Sequence, residues 1–161
     1  MNAIDLLKDQ HQEVKGLFEQ FEHADDDQEK LVIFQELADN LAAHATIEEK
    51  LFYPAAYAKK TKELLTEAVE EHLAMKRILA DLLVMMPNHE NFDAKIKVLK
   101  EQVEHHVEEE EGELFAAARK ELGPEQLEGL GAQMSELFEK EMEGEPSEAV
   151  PEQTFKAAPL R

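Results

Sequence analysis

The stretch NLAAHATIEEKLFYP, residues 40–54, carries His44 and Glu48 one helical turn apart. The stretch QVEHHVEEEEGELFA, residues 102–116, repeats the pair as His106 and Glu110. Both pairs sit among apolar positions spaced alternately by three and four, the spacing that lines one face of a helix. That face is the one a bundle buries, and a buried carboxylate without a partner either costs several kcal/mol or neutralises. The two stretches therefore predict helices that put charge inward for a reason.

Working outward, the same spacing defines four seams. The first runs Ile4, Leu7, His11, Val14, Phe18, Phe21. The second runs Phe34, Leu37, Leu41, His44, Glu48, Leu51, Ala55. The third runs Leu65, Ala68, His72, Met75, Leu79, Leu82, Met86, and the fourth Phe92, Ile96, Leu99, Val103, His106, Glu110, Leu114, Ala117. An acidic, apolar-poor turn at 22–30, the AKKTK segment and the MPNHENF turn separate them. Pro54 is expected to end or kink the second helix. In ELGPEQ, Gly123 reads as a left-handed cap and Pro124 as the first turn of a fifth helix, about 124–142, carrying Leu127, Leu130, Met134 and Leu137. Short turns between long helices make antiparallel neighbours. The predicted fold is all-α: an antiparallel up-down-up-down four-helix bundle over 1–122, an accessory C-terminal helix over 123–143, and an extended, flexible tail over 144–161.

Each seam is interrupted by one histidine: His11, His44, His72 and His106. At ~1.5 Å per residue all four lie roughly 18–27 Å from the linking turns, in one layer of the core. The other three histidines, His23, His89 and His105, fall in turns or off the seams. His105 aligns with Val98, Gln102, Glu109 and Gly112, a mostly polar line, so His106 is the inward member of its pair. In the run Glu108–Glu111 only Glu110 is on the seam, and its neighbours read as a solvated face. Tyr53 and Tyr57 read as interfacial or exposed. No Lys or Arg falls on any seam, so a bound cation is the simplest source of positive charge for Glu48 and Glu110.

Imidazole with carboxylate suits iron, zinc, manganese, nickel or copper. Six residues are too many for one tetrahedral zinc. They suit two adjacent ions with bridging carboxylates, leaving about four of some twelve octahedral positions for oxo or hydroxo bridges, water or a small molecule. Such sites in four-helix bundles are typically di-iron or di-manganese. A net charge of −20 supplies no surface for nucleic acid or an anionic membrane. No apolar run is long enough to span a membrane. The amphipathic, charged N-terminal stretch is not a signal peptide, and the absence of Cys excludes disulfides and thiolate sites, so a cytoplasmic location is expected.

DQHQEVK with His11, HATIEEKLFYP with His44 and Glu48, EEHLAMKRIL with His72, and HHVEEEEGELFA with His106 and Glu110 resemble the hemerythrin-like, or HHE cation-binding, domain over about residues 1–120. The resemblance implies a bundle holding a non-haem di-iron centre that binds oxygen or a related small molecule, peroxide or nitric oxide, for sensing, storage or detoxification. It assigns His11, His44, His72 and His106 as terminal ligands and Glu48 and Glu110 as bridges. The oxygen-carrying hemerythrins have a second histidine one turn from the first in the third helix. Here those positions are Ala68 and Lys76, so one ion is expected to lack an imidazole. The sequence carries no DNA-binding, kinase or cyclase motif, so a sensing role is expected to need a partner protein. Two other functions fit the same residues: a peroxidase- or oxidase-like redox enzyme, and an interaction protein whose metal is only structural.

Overall fold

The computed structural model describes residues 1–161 and contains no strand. Helix α1 (Ala3–Glu22) starts at Asn2, whose side chain accepts from the Asp5 amide, and α2 (Asp27–Ile47) starts at Asp26, which accepts from Glu29. Both caps satisfy amides that a helix N-terminus leaves open. Helix α2 runs through a π turn, Glu48–Phe52, into α3 (Tyr53–Ala56). Helix α4 (Lys62–Leu83) comes next, and α5 (Phe92–Glu109) runs through a second π turn, Glu110–Leu114, into α6 (Phe115–Glu121). These four rods form the bundle, and α7 (Pro124–Glu143) crosses α1 and α2 at one end.

The π turns change the seams. Each begins at a seam glutamate, and each closes with an amide bonded five residues back, Tyr53 to Glu48 and Phe115 to Glu110. The extra residue re-phases the helix beyond it. Phe52, Tyr53 and Ala56 are buried where the sequence reading expected Leu51 and Ala55, and Ala118 is buried where it expected Ala117. Met86 lies beyond the end of α4 and is exposed.

The core is two apolar clusters with a polar layer between them. Ile4, Leu7, Ile47, Phe52, Leu65, Phe115 and Met134 belong to one. Phe18, Phe34, Leu37, Leu82, Phe92 and Leu99 belong to the other. The first cluster includes α7, held close because Gly131 admits the α1 entry: a Cβ there would lie 2.8 Å from the Ala3 nitrogen.

Two local expectations change. Gly123 has φ −73° and is the N-cap of α7, with the Gln126 side chain accepting from its amide, not a left-handed cap. The segment expected to be an extended, flexible tail instead forms a 3₁₀ helix, Pro146–Gln153, packed against α2 and α4. Val150 is its anchor, fully buried against the second cluster. The Ser147 amide donates to Asp39 and Arg77 Nε to the Thr154 carbonyl. A single apolar residue without helical periodicity carries no pattern signal, so this docking leaves no mark in the sequence.

Candidate metal centre

His11, His44, His72 and His106 come from four different rods and meet in the layer between the apolar clusters, all buried. Their Nε2 atoms point inward. His11 Nε2 lies 3.0 Å from Glu110 Oε1, and His106 Nε2 3.4 Å from Glu110 Oε2. His44 and His72 Nε2 lie 3.2 and 3.1 Å from Glu48 Oε1, and His72 and His106 Nε2 lie 3.2 Å apart. Within this layer two buried sets of atoms are each close enough to hold an ion: His11, His44, Glu48 and Glu110, and Glu48, His72 and His106. Glu48 belongs to both, the placement a bridging carboxylate requires. His105 points outward, its side chain 62% exposed beside Glu71 and Glu109.

The outer ring nitrogens show what the inner ones can do. His11 Nδ1 bonds Glu111 at 2.6 Å, His44 Nδ1 bonds Gln10 Oε1 at 2.6 Å, His72 Nδ1 bonds Glu49 at 2.7 Å, and His106 Nδ1 bonds Glu71 at 2.7 Å. An ionised carboxylate or amide oxygen only accepts, so Nδ1 carries the proton in each ring. In the neutral imidazole, Nε2 is then a lone pair. Four lone pairs and two carboxylates therefore face one another. His11 Nε2, His44 Nε2, Glu48 Oε2 and Glu110 Oε1 have no hydrogen-bond partner. Acceptors converging in a buried layer whose one other donor is the Tyr53 hydroxyl need a cation, and outer carboxylates that fix the histidine tautomer are a usual accompaniment of metal ligation.

Without a metal, protons must supply that charge. Burial pulls His106 down, but Glu110, Glu48 and Glu71 outweigh it and raise its pKa well above the ordinary value. Burial also lowers His11 and His72, and Glu110 raises the first, Glu48 and Glu49 the second, to a net increase. Burial would push Glu48 up, but His44, His106 and His72 hold it well below the ordinary carboxylate range. Protonating both His72 and His106 sets two positive rings side by side, which a single shared ion avoids.

Three residues depart from the sequence reading. Tyr53, read as interfacial or exposed, is fully buried and donates to Glu110 Oε2 at 2.6 Å, with its hydroxyl 3.3 and 3.4 Å from His72 and His106 Nε2. Glu111, read as part of a solvated face, holds His11. Lys76, left off the seams, is buried and pairs with both oxygens of Glu49 at 2.9 Å. It does not reach Glu48 or Glu110, which still face only histidines and Tyr53. Gln10, Glu49, Glu71 and Glu111 were all missed, yet each directly adjoins a candidate ligand in sequence. Adjacency is the signal that would have found them, because the next residue sits about 100° round the helix, toward the neighbouring rod.

On the far side of the histidines from Tyr53 lies an apolar cavity of about 50 Å³. The four histidines bound one end, and Leu79, Leu99, Val103 and Val150 are among its walls. The cavity has room for a molecule of roughly two or three heavy atoms.

The description "Hemerythrin HHE cation binding domain" matches residues 2–118. The chain belongs to that family. This HHE domain is 30% identical over 148 residues to the uncharacterized protein Rv2633c of Mycobacterium tuberculosis, covering 91% of this chain and 90% of that protein. It is 32% identical over 128 residues to a DNA nickase of Nostoc sp., covering 80% of this chain. The chain spans only 36% of the nickase's length. The crystal structure of an HHE cation binding domain-containing protein from Mycobacterium kansasii, a homolog of Rv2633c, matches the fold with a TM-score of 0.79. That match has 27% sequence identity and covers 97% of this chain and 94% of the other. The HHE domain has buried His/Glu clusters able to bind metal, and none of its helices is long and apolar enough to cross a membrane.

Proposed function

We propose that this HHE domain is a cytoplasmic protein that binds two iron ions through His11, His44, Glu48, His72, His106 and Glu110. In this reading it takes dioxygen, peroxide or nitric oxide where the histidines meet the apolar cavity, for sensing, storage or detoxification. The observation that carries the reading is the set of inward Nε2 lone pairs and carboxylate oxygens, four of them without a partner, in two groups that share Glu48. Iron would supply redox chemistry and open coordination positions. The chain's own residues orient the imidazoles through Nδ1, balance charge with two carboxylates, and keep bulk water out with apolar walls. The cavity favours a small-molecule role over a purely structural metal, since a closed site would need no chamber beside it.

Tyr53 favours a second reading, turnover with peroxide, because it places an oxidisable phenol within hydrogen-bond reach of the ligand layer. DNA nicking is not carried over from the Nostoc relative, of whose length this chain spans only 36%, and a net charge of −20 does not favour binding to phosphate. The test is metal analysis of protein purified from its native host, with optical spectra under air, after reduction, and with peroxide or nitric oxide added. Two irons per chain and an oxidant-sensitive absorption are expected. One zinc per chain with no such band would overturn the proposal.

A further inference from the structure

The chain beyond α7 lies along the bundle as a strap that touches both apolar clusters. Val150, in the 3₁₀ helix packed on α2 and α4, belongs to the second cluster, and Ala157 and Leu160 pack against the first. The strap therefore crosses the level of the polar layer, on the side where Arg77 of α4 donates to the Thr154 carbonyl at 3.0 Å. Its path matters because of what Val150 closes. The apolar cavity bounded by the four histidines is walled in part by Ala42 and Ala45 of α2 and by Met75 and Leu79 of α4. The two alanine methyl groups cover little, and Val150, only 1% exposed, adds bulk to the wall from a segment packed on both helices.

This part of the wall is attached differently from the rest. No backbone–backbone hydrogen bond joins residues 145–161 to the helices. The strap is held by Val150, by the partly buried Ala157 and Leu160, by the Asp39 and Arg77 side chains bonded to its backbone, and by Arg161 lying 4.8 Å over the Tyr57 ring. A segment with few buried apolar contacts and no shared ladder opens while the remainder stays folded. The four rods, by contrast, cannot part without exposing both clusters. Lifting the strap is the opening of the cavity that disturbs least.

We propose that the C-terminal strap is a detachable cover: when Val150 withdraws, the cavity opens to solvent between α2 and α4, and metal ions enter and leave the histidine layer by that route. The inference rests on the metal-binding reading above. Such a cover acts on rates. It slows uptake and release by the same factor and leaves affinity unchanged, since no strap residue is among the candidate ligands.

The chain has no Cys, so Asp39→Cys/Ser147→Cys introduces a single staple between α2 and the strap, at a pair already joined by a hydrogen bond. The full-length variant is prepared in disulfide and reduced forms and freed of excess reductant. Uptake of ferrous iron, and its release to a chelator, are then followed without oxygen. The disulfide form should take up and release iron at least ~10-fold more slowly than the reduced form, because local opening is blocked. Their equilibrium affinities should agree within about twofold. In otherwise unaltered protein, Val150→Ser adds no charge and should raise both rates roughly 10- to 100-fold, the burial of one valine read as an opening equilibrium. Equal rates in the disulfide and reduced forms overturn the proposal. So does a Val150→Ser protein whose release quickens while uptake does not, which marks lost affinity and a purely structural role. Failure of the wild-type protein to load iron overturns the metal-binding reading instead, and shows before any rate is compared.

Discussion

Glu48→Gln separates a metal-bridging carboxylate from one that serves packing. Glu48 is fully buried, with Oε1 3.1 Å from His72 Nε2, 3.2 Å from His44 Nε2 and 4.0 Å from His106 Nε2, while Oε2 has no partner. Glutamine keeps the volume, removes one negative charge and turns one acceptor into a donor, at the residue shared by both ligand groups. Changing a residue that only supports a ligand costs 10–100-fold in metal affinity. Losing a shared ligand should reach at least the upper end, ~100-fold or about 2.7 kcal/mol. With metal in excess that loss comes directly off the stability. For a chain of this size ~1 kcal/mol moves Tm by ~2–4 °C, so the loaded form should melt about 5–10 °C lower.

The metal-free form should behave differently. In alkaline solution, above the raised folded values of His72 and His106, these imidazoles lose their protons and the carboxylate becomes a buried anion with too little countercharge. The amide relieves this, and the stripped variant should melt at or above the stripped wild type. Near pH 5.5 the imidazolium partners are present, so the amide forfeits their pairing and the stripped variant should melt lower. Scanning calorimetry of loaded and chelator-stripped protein in both conditions gives all four comparisons. Equal Tm losses in loaded and stripped protein in alkaline solution would refute the reasoning and assign Glu48 to packing.

His106→Ala should abolish occupancy of at least one metal position while His105→Ala leaves metal content near normal, as read by elemental analysis; the reverse would mean the exposed ring is the ligand. Glu111→Ala should weaken metal binding about 10–100-fold through His11, whereas Glu109→Ala, which bonds no site histidine, should change it little in a competitive chelator titration. Stripped wild-type protein should have a stability optimum in mildly acidic solution, measured by denaturant titration across pH. Raised folded values at His11, His72 and His106 give stability that is complete below their unfolded value and lost as pH rises through the folded ones, and the depressed Glu48 gives stability lost as pH falls through its folded value. A stripped form most stable above about pH 8 would contradict this.

The bundle was legible because its signal is redundant. Four seams repeat one spacing, and a histidine interrupts each at the same depth, so an error at any single residue left the layer intact. The π turns were not legible because they break the rule that made the seams readable. Tyr53 was misread for this reason: a 3.6-residue period carried on from Glu48 puts Leu51 and Ala55 inward and Tyr53 aside, whereas the inserted residue brings Phe52 and Tyr53 into the core together. The apolar doublets Phe52–Tyr53 and Leu114–Phe115, wider than one seam needs, were the available warning. Lys76 was set aside because a lysine beside a seam normally lies along the surface, and only the placement of Glu49 across the α2–α4 boundary makes its burial tolerable.

The partners of the four histidines close into a ring that no single helix could have revealed. Gln10 on α1 holds His44 on α2, Glu49 after α2 holds His72 on α4, Glu71 on α4 holds His106 on α5, and Glu111 after α5 returns to His11 on α1. Each rod thus supplies one imidazole to the centre and one acceptor to its neighbour, the acceptor sitting one residue from that rod's own inward group. Such a ring fixes each imidazole against a different helix from the one that carries it. Sliding or rotating any rod therefore disturbs two histidines, its own and its neighbour's. The ring makes the rotation of all four rods one coupled quantity, and a layer that must present four nitrogens and two carboxylates to the same few ångströms needs that coupling more than it needs any one of the bonds. The expected consequence is non-additivity. Glu71→Ala and Glu111→Ala, on different rods but each orienting a histidine beside Glu110, should together weaken metal binding by a factor that differs from the product of their separate effects by about fivefold or more. A product within about twofold would show four independent supports and no ring.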